Sequence, residues 1–308
     1  MKKFIVTGGA GFIGSHLTDA LLENEAEVLV IDDMSTGHKQ NINPKADLER
    51  MGIQDPNISN VFKTFAPDCV YHLAAQADPK RAVREPGFDA NMNILGTINI
   101  TLASIKAECE NLIFTSTGGA MYGTPEANSL PVAETHPPSP TSPYGLSKLC
   151  AELYIRQIAS AASLNYSILR PANVYGPRQD PASEVGVVLI LLEELLAGRT
   201  PTLRGFGSPT RDYIYVTDLV SALLSVAKSR ETGPFHIGSG TETSVETIFS
   251  KLTDRLHCSP QAHRAPLLPG EVQNMALDSS KAKDAIGWTP KVSLDEGLDL
   301  TVAWAKSH

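Results

Sequence analysis

Tyr144 and Lys148 lie four residues apart in the run Pro143-Tyr144-Gly145-Leu146-Ser147-Lys148. On a helix that spacing puts both side chains on one face. An ammonium beside a phenol favours the phenolate and lowers the phenol's pKa toward working pH. Such a phenol can take the proton of a substrate hydroxyl while a hydride leaves the same carbon. The reaction also needs a hydrogen-bond partner for the reacting oxygen and an acceptor for the hydride. Leu112-Ile113-Phe114-Thr115-Ser116-Thr117 supplies the partner, because an apolar strand here ends in hydroxyls. Thr117 is the preferred residue and Ser116 the second. Thr115 lies inside the strand, where a hydroxyl serves backbone groups.

The hydride acceptor is written at the N-terminus. Thr7-Gly8-Gly9-Ala10-Gly11-Phe12-Ile13-Gly14 follows the apolar run Phe4-Ile5-Val6 and leads into Ser15-His16-Leu17-Thr18-Asp19-Ala20-Leu21-Leu22. This reads as strand, glycine turn and helix. Gly8, Gly11 and Gly14 allow a sharp turn, close approach of a pyrophosphate and tight helix packing. The free amides of the helix start face the phosphates. Asp32 closes the next strand, Val28-Leu29-Val30-Ile31, where a carboxylate can hold the adenosine ribose hydroxyls. Asp33 follows in place of an Arg or Lys, so a ribose 2′-phosphate would meet negative charge. The cofactor expected is NAD rather than NADP.

Elements that position these groups can be read from periodicity. Strands are expected at 3–7, 27–32, 69–73, 111–115 and 166–170, and helices at 12–24, 57–66, 90–108 and 144–162. This alternation implies an α/β fold with a doubly wound parallel sheet of Rossmann type. In such sheets ligands bind beyond the carboxyl ends of the strands, where the motifs fall. The proline-rich stretch 124–143 is expected to be loop. From 171 onward the pattern is irregular, with helices at 186–198, 217–229 and 244–256. The expected division is a cofactor domain over 1–170 and a smaller mixed α/β substrate domain over 171–308, with 212–238 returning to the sheet.

The 308 residues suffice for such a core, and the net charge of −8 argues against a nucleic-acid or anionic-membrane partner. No apolar run is long enough to span a membrane. Cys69, Cys109, Cys150 and Cys258 lack metal-ligand spacing, as do the histidines, so no metal is expected and a reduced, cytoplasmic setting fits.

Together these motifs resemble the extended short-chain dehydrogenase/reductases. Further segments resemble those that act on nucleotide sugars, most closely the UDP-glucose 4-epimerases. His72-Leu73-Ala74-Ala75-Gln76 resembles the segment flanking the cofactor, and Asn93-Ile94-Leu95-Gly96-Thr97 the helix opening of that family. Leu169-Arg170-Pro171-Ala172-Asn173-Val174-Tyr175-Gly176-Pro177 resembles the loop whose Asn holds the substrate diphosphate. Arg211-Asp212-Tyr213 resembles the segment whose Arg binds it, and Gly287-Trp288-Thr289-Pro290 resembles the closing motif. The resemblance implies Tyr144 as base and acid, Lys148 as its electrostatic tuner and ribose anchor, and Thr117, with Ser116, as hydrogen-bond partner. It implies cofactor contacts from Gly8, Gly11, Phe12, Ile13, Gly14, Asp32, Asp33, Ile53, Leu73, Ala74, Ala75, Gln76 and Asn93. Asn173, Arg211 and Glu271 would hold the sugar nucleotide beside Thr117 and Tyr144. The implied assembly is a homodimer joined through the helices at 90–108 and 144–162.

The activity implied is NAD-dependent epimerisation of a UDP-hexose at carbon 4. A UDP-N-acetylhexosamine or UDP-glucuronate substrate, or dehydration, decarboxylation or 4-keto reduction of a nucleotide sugar, are the alternatives. Related dehydratases and decarboxylases carry a carboxylate just after the catalytic Thr. Here Gly118, Gly119 and Ala120 follow, and an epimerase needs no such acid. Other departures concern binding. The family's phosphate-pairing Arg falls at Leu268, with Arg264 upstream as a substitute. Its adenine-contacting Asp falls at Gly52, leaving backbone contacts or Gln54. The position gating N-acetylated sugars falls at Met275. His16 is expected beside the cofactor without acting as a base, and His236 in the core.

Overall fold

The computed structural model describes residues 2–180, 186–267 and 271–307. Its first half alternates strands β1 (Lys3–Thr7), β2 (Glu27–Ile31), β3 (Asp47–Glu49), β4 (Cys69–His72), β5 (Asn111–Thr115) and β6 (Asn165–Pro171) with helices. These are α1 (Phe12–Glu23), α2 (Ile58–Phe65), α3 (Pro79–Arg84), α4 (Pro86–Ala90), α5 (Gly96–Lys106) and α6 (Pro143–Ala161). The second half contributes β7 (Asn173–Tyr175), α7 (Val187–Leu196), β8 (Thr202–Arg204), β9 (Thr210–Arg211), β10 (Tyr213–Tyr215) and α8 (Val216–Ser229). It continues with β11 (Gly233–Ile237), β12 (Thr243–Ser244), α9 (Val245–Leu256), β13 (His263–Ala265), α10 (Ser280–Ile286) and α11 (Leu294–Ser307).

A seven-stranded sheet, in the order β11-β6-β5-β4-β1-β2-β3, forms the centre. All its pairings are parallel, with Thr7 opposite Ile31 on one side and His72 on the other. Strand residues alternate between two buried faces. Ile5 packs with Phe62, Ile100 and Ile155, whereas Val6 packs with Leu17, Leu21, Leu219 and Leu223. Helices cover both faces, which is why these strands are apolar along their length. The chain leaves β1 toward β2 and β3, then crosses back to build β4, β5 and β6. That reversal opens a crevice at the carboxyl ends of β1 and β4, where such sheets bind ligands.

The second half forms small sheets, β7 with β10, β9 with β12 and β8 with β13. They pack on a cluster that includes Tyr175, Leu189, Leu192, Ile248, Leu252 and Leu298. The Trp288 indole seals the seam by donating to the Asp218 carbonyl at 3.0 Å and to Ser221 Oγ at 2.9 Å.

Helices α3, α10 and α11 fall where the periodicity predicts none, and two further elements differ from that reading. Strand β3 was not expected, because Asp47-Leu48-Glu49 is a short polar edge strand. The single helix expected over 90–108 is instead α4, a π turn at Asn91–Leu95, and α5. Such π turns are single-turn insertions that re-aim side chains, often at functional sites.

Gly14 sets how close α1 comes to the turn after β1. A Cβ there would lie 2.2 Å from the Gly8 carbonyl oxygen and 2.8 Å from Gly9 Cα, both backbone atoms that cannot step aside. Gly14→Ala is expected to lower stability by about 1–3 kcal/mol, the usual range for overpacking. Urea unfolding checks this, and an unchanged midpoint would mean that the turn yields freely.

Candidate active site

The crevice begins with a bare helix end. No side chain caps α1 at Gly11, so its first-turn amides keep their donors for a ligand. Asp32, 8% exposed, stands at the end of β2. Its Oδ2 accepts from Ala10 N at 3.0 Å and its Oδ1 from Met34 N at 2.9 Å. Burial raises its pKa, and these amide bonds oppose the shift. Asp33 is more open and accepts from Ser35 N at 2.8 Å. A donor-lined turn followed by paired carboxylates fits a dinucleotide whose ribose carries free hydroxyls, so the residues suit NAD.

The far wall of the crevice is fixed by a directed chain of hydrogen bonds. Thr7 Oγ1 accepts from the amides of Leu73 and Ala74, each at 3.2 Å. Its proton is therefore given to His72 Nδ1, at 2.8 Å. His72 Nε2 then donates to Thr97 Oγ1 at 3.0 Å, and Thr97 donates to the Asn93 carbonyl at 2.6 Å. Burial, followed by the nearby Lys148 charge, pushes His72 down to about 3, so it stays neutral. Asn93 is 2% exposed and its amide is committed inward. Its Oδ1 accepts from Gln76 N at 2.9 Å, and its Nδ2 reaches Gln76 O, Asp89 and Ser147. The side chain thus shapes the segment after β4. Ile53, 2% exposed, packs its side chain against Gly96, and its carbonyl accepts from Asn99 Nδ2 at 2.8 Å.

Tyr144 and Lys148 occupy the first turns of α6. Ser142 caps this helix by accepting from Gly145 N at 3.1 Å, and Pro143 fits its first position. Gly145 lets the turn press on the loop after β5, since a Cβ there would lie 2.3 Å from the Ala120 carbonyl oxygen. That contact delivers Tyr144 to Thr117, whose hydroxyl favours the phenolate. Thr117 Oγ1 also accepts from Ala120 N at 3.3 Å. Lys148 is 3% exposed. Its Nζ donates to the Thr115 carbonyl at 2.6 Å and lies 4.3 Å from the Phe114 ring centroid. Burial pushes Lys148 down to about 7, against the pull of Glu152 and Asp89, and pushes the Tyr144 phenol up to about 12.

The profile of the NAD dependent epimerase/dehydratase family matches residues 4–238. The chain belongs to that family. It is 38% identical over 311 residues to the UDP-glucose 4-epimerase of Mycolicibacterium smegmatis, covering 99% of each chain. Its fold matches the Thermotoga maritima UDP-glucose 4-epimerase solved with UDP-glucose, with a TM-score of 0.95, 43% identity and 99% coverage of both chains. The Thermus thermophilus UDP-glucose 4-epimerase complex with NAD gives a TM-score of 0.94 at 37% identity, again over 99% of both chains.

In this member of the NAD dependent epimerase/dehydratase family, the residues expected on the substrate side come from the second half. Asn173 opens β7, and its Oδ1 lies 3.3 Å from where a Gly119 side chain would begin. It therefore borders the loop that carries Thr117. Arg211 is half-buried and donates to the carbonyls of Thr210, Val272 and Gln273, tying β9 to the strand of chain after Glu271. Leu268 lies outside the described residues. Arg264 pairs with Glu246 at 2.7 Å, which commits it to the β13 side. Met275 is 1% exposed and packs into the same core as Tyr122 and Leu277. His16 bonds the Pro177 carbonyl at 2.9 Å and so fastens α1 to the loop after β7.

Ser116, the second choice for catalysis, turns the other way. Its hydroxyl donates to Glu152 at 2.5 Å, and Glu152 is gripped by Arg170 through Nε and Nη2. Arg170 also donates to Tyr122 Oη at 2.6 Å. His236 Nδ1 donates to the Val132 carbonyl at 3.0 Å, so its Nε2 accepts from Tyr122 Oη at 2.6 Å. This buried network was not anticipated beyond the core placement of His236. Residues 116 and 117 follow β5, where Ser116 N still donates to the Leu169 carbonyl, and successive side chains of such extended chain leave on opposite sides.

Thr117→Val is expected to lower kcat by about 100-fold, the low end for loss of a proton-transfer partner. Ser116→Ala is expected to leave kcat near the parent value while lowering stability by about 1–3 kcal/mol, since it strips a buried carboxylate of a donor. Steady-state rates with urea unfolding separate the two, and a reversed pattern would reassign the hydroxyls.

Proposed function

We propose that this chain is an NAD-dependent UDP-sugar 4-epimerase interconverting UDP-glucose and UDP-galactose. The observation that carries the reading is the convergence of Thr117, Tyr144 and Lys148 beside the glycine turn. Tyr144 takes the proton of the sugar's 4-hydroxyl, with Thr117 bonded to the same oxygen. When bound, NAD accepts the hydride from carbon 4 and returns it, and its positive ring favours the phenolate that burial alone disfavours. Lys148 adds to that preference and is placed to hold the cofactor ribose. The 4-keto sugar turns over in the site, and Tyr144 gives its proton back on the other face. Asn173, Arg211 and Glu271 are assigned to the sugar-nucleotide diphosphate and its surroundings. Gly118 and Gly119 offer no carboxylate for an elimination, which favours epimerisation over dehydration.

We read residues 1–170 as the cofactor half and 171–308 as the substrate half, with β11 shared into the main sheet. The assembly proposed is a homodimer. Leu95, Leu102, Leu146, Leu153 and Tyr154 are 41–56% exposed on the adjoining elements that carry α5 and α6. The opposite faces of those helices bury Ile100, Ala103, Ala151 and Ile155 on the sheet, so sheet packing does not account for the outer stripe. Free thiols at all four cysteines suit a reducing, cytoplasmic compartment.

Purified protein incubated with UDP-glucose is expected to yield UDP-galactose, read by proton NMR, and Tyr144→Phe to yield none while still binding NAD. Product from Tyr144→Phe, or none from the parent with NAD supplied, would overturn the reading. Leu153→Glu is expected to convert the dimer to monomer in sedimentation velocity. A parent that sediments as monomer would contradict the assembly.

A further inference from the structure

Lys148 carries a charge in a place where water cannot balance it. Five groups face it besides the Thr115 carbonyl. Tyr144 and Glu152 lie one turn away on α6, Phe114 on β5, neutral His72 on β4, and Asp89 on α4. Two of these are carboxylates, and they are not equivalent. Glu152 already has its own cation, because Arg170 donates to both of its oxygens. Asp89 is 1% exposed and has no ion pair within 4 Å among the described residues. Its Oδ1 accepts from the neutral amides Gln76 Nε2, at 3.0 Å, and Asn93 Nδ2, at 3.1 Å. A buried carboxylate held only by amides is unfavourable unless a cation faces it. The cluster holds two cations, Lys148 and Arg170, and two anions, Glu152 and Asp89. Once Arg170 and Glu152 are matched, Lys148 and Asp89 remain.

We propose that Asp89 is the counter-charge of Lys148 and a positioning residue for the Tyr144–Lys148 pair. It acts through Lys148 and also directly opposes ionisation of the Tyr144 phenol, and the inference rests on the role given to Lys148 above. The surrounding bonds hold the carboxylate in place. Asn93 and Gln76 clamp it from the π turn and from the segment after β4, and Asn93 Nδ2 also reaches Ser147 Oγ at 3.1 Å, next to Lys148. Through Asn93, the buried anion is thus joined to both the wall of the cofactor crevice and α6.

Removing the anion makes the ammonium easier to deprotonate. In Asp89→Asn the basic limb of the kcat–pH profile should move about one unit toward lower pH. KM for UDP-glucose should stay within about twofold, because uniform binding is untouched. A profile that overlays the parent's would overturn the proposal. A stability cycle tests the pairing without any catalytic readout. Lys148→Met leaves Asp89 uncompensated and should lower the unfolding midpoint. Adding Asp89→Asn to Lys148→Met should raise the midpoint again. A double variant less stable than Lys148→Met alone would refute the pairing. Full turnover by Lys148→Met would instead sink the catalytic role of Lys148, while the unfolding midpoints would still decide the pairing.

Discussion

The site depends on a positive charge that the fold has buried at the start of a helix. Taking an ammonium out of water costs several kcal/mol even after the protein relaxes. Lys148 is held there by a strand carbonyl, an aromatic face and carboxylates from two helices. Neither the Thr115 carbonyl nor the Phe114 ring could reach it if α6 stood further from the sheet. The close contact between Gly145 and the Ala120 carbonyl is therefore as much a part of the chemistry as the phenol itself. It sets the distance at which Tyr144 meets Thr117 and Lys148 meets β5.

A parallel sheet supplies the remaining geometry almost without further device. Its carboxyl ends gather the glycine turn of β1, the acid of β2, the His72 chain of β4 and the hydroxyls of β5 along one edge. The second half of the chain then borders that edge through Asn173 and Arg211. Buried polar chains lock the parts to one another. Thr7, His72 and Thr97 join the crevice wall to the π turn, and Glu152, Arg170, Tyr122 and His236 join α6 to the second half. In the first chain donation runs one way from Thr7 to Asn93, and in the second it runs outward from Arg170 to Glu152 on one side and to Tyr122 on the other, so each holds its segment in one arrangement.

Local signals were legible in the sequence. The glycine turn, Asp32 and the Tyr144–Lys148 spacing each sit within one strand–turn–helix unit, where period and residue type carry the meaning. The main strands and helices fell close to their expected bounds for the same reason. What escaped notice was long-range. Arg170 and Glu152 are 18 residues apart, and Tyr122 and His236 are 114 apart, so no window of sequence joins them. The π turn at Asn91–Leu95 escaped because one extra residue per turn hardly disturbs an apolar stripe. Strand β3 escaped because an edge strand needs no apolar face. That Ser116 meets Glu152 while Thr117 lies beside Tyr144 is likewise a matter of tertiary placement that residue types alone do not carry.

The central claim is that Lys148 and the loaded cofactor make one phenol ionise far below its neighbours. Ultraviolet difference titration of the NAD-loaded enzyme measures this directly, because phenolate absorbs where phenol does not. The account predicts one phenol titrating near neutrality, absent in Tyr144→Phe and displaced upward in Lys148→Met. Titration curves of the parent and Tyr144→Phe that superimpose up to the ordinary phenol range, near pH 10, would contradict it.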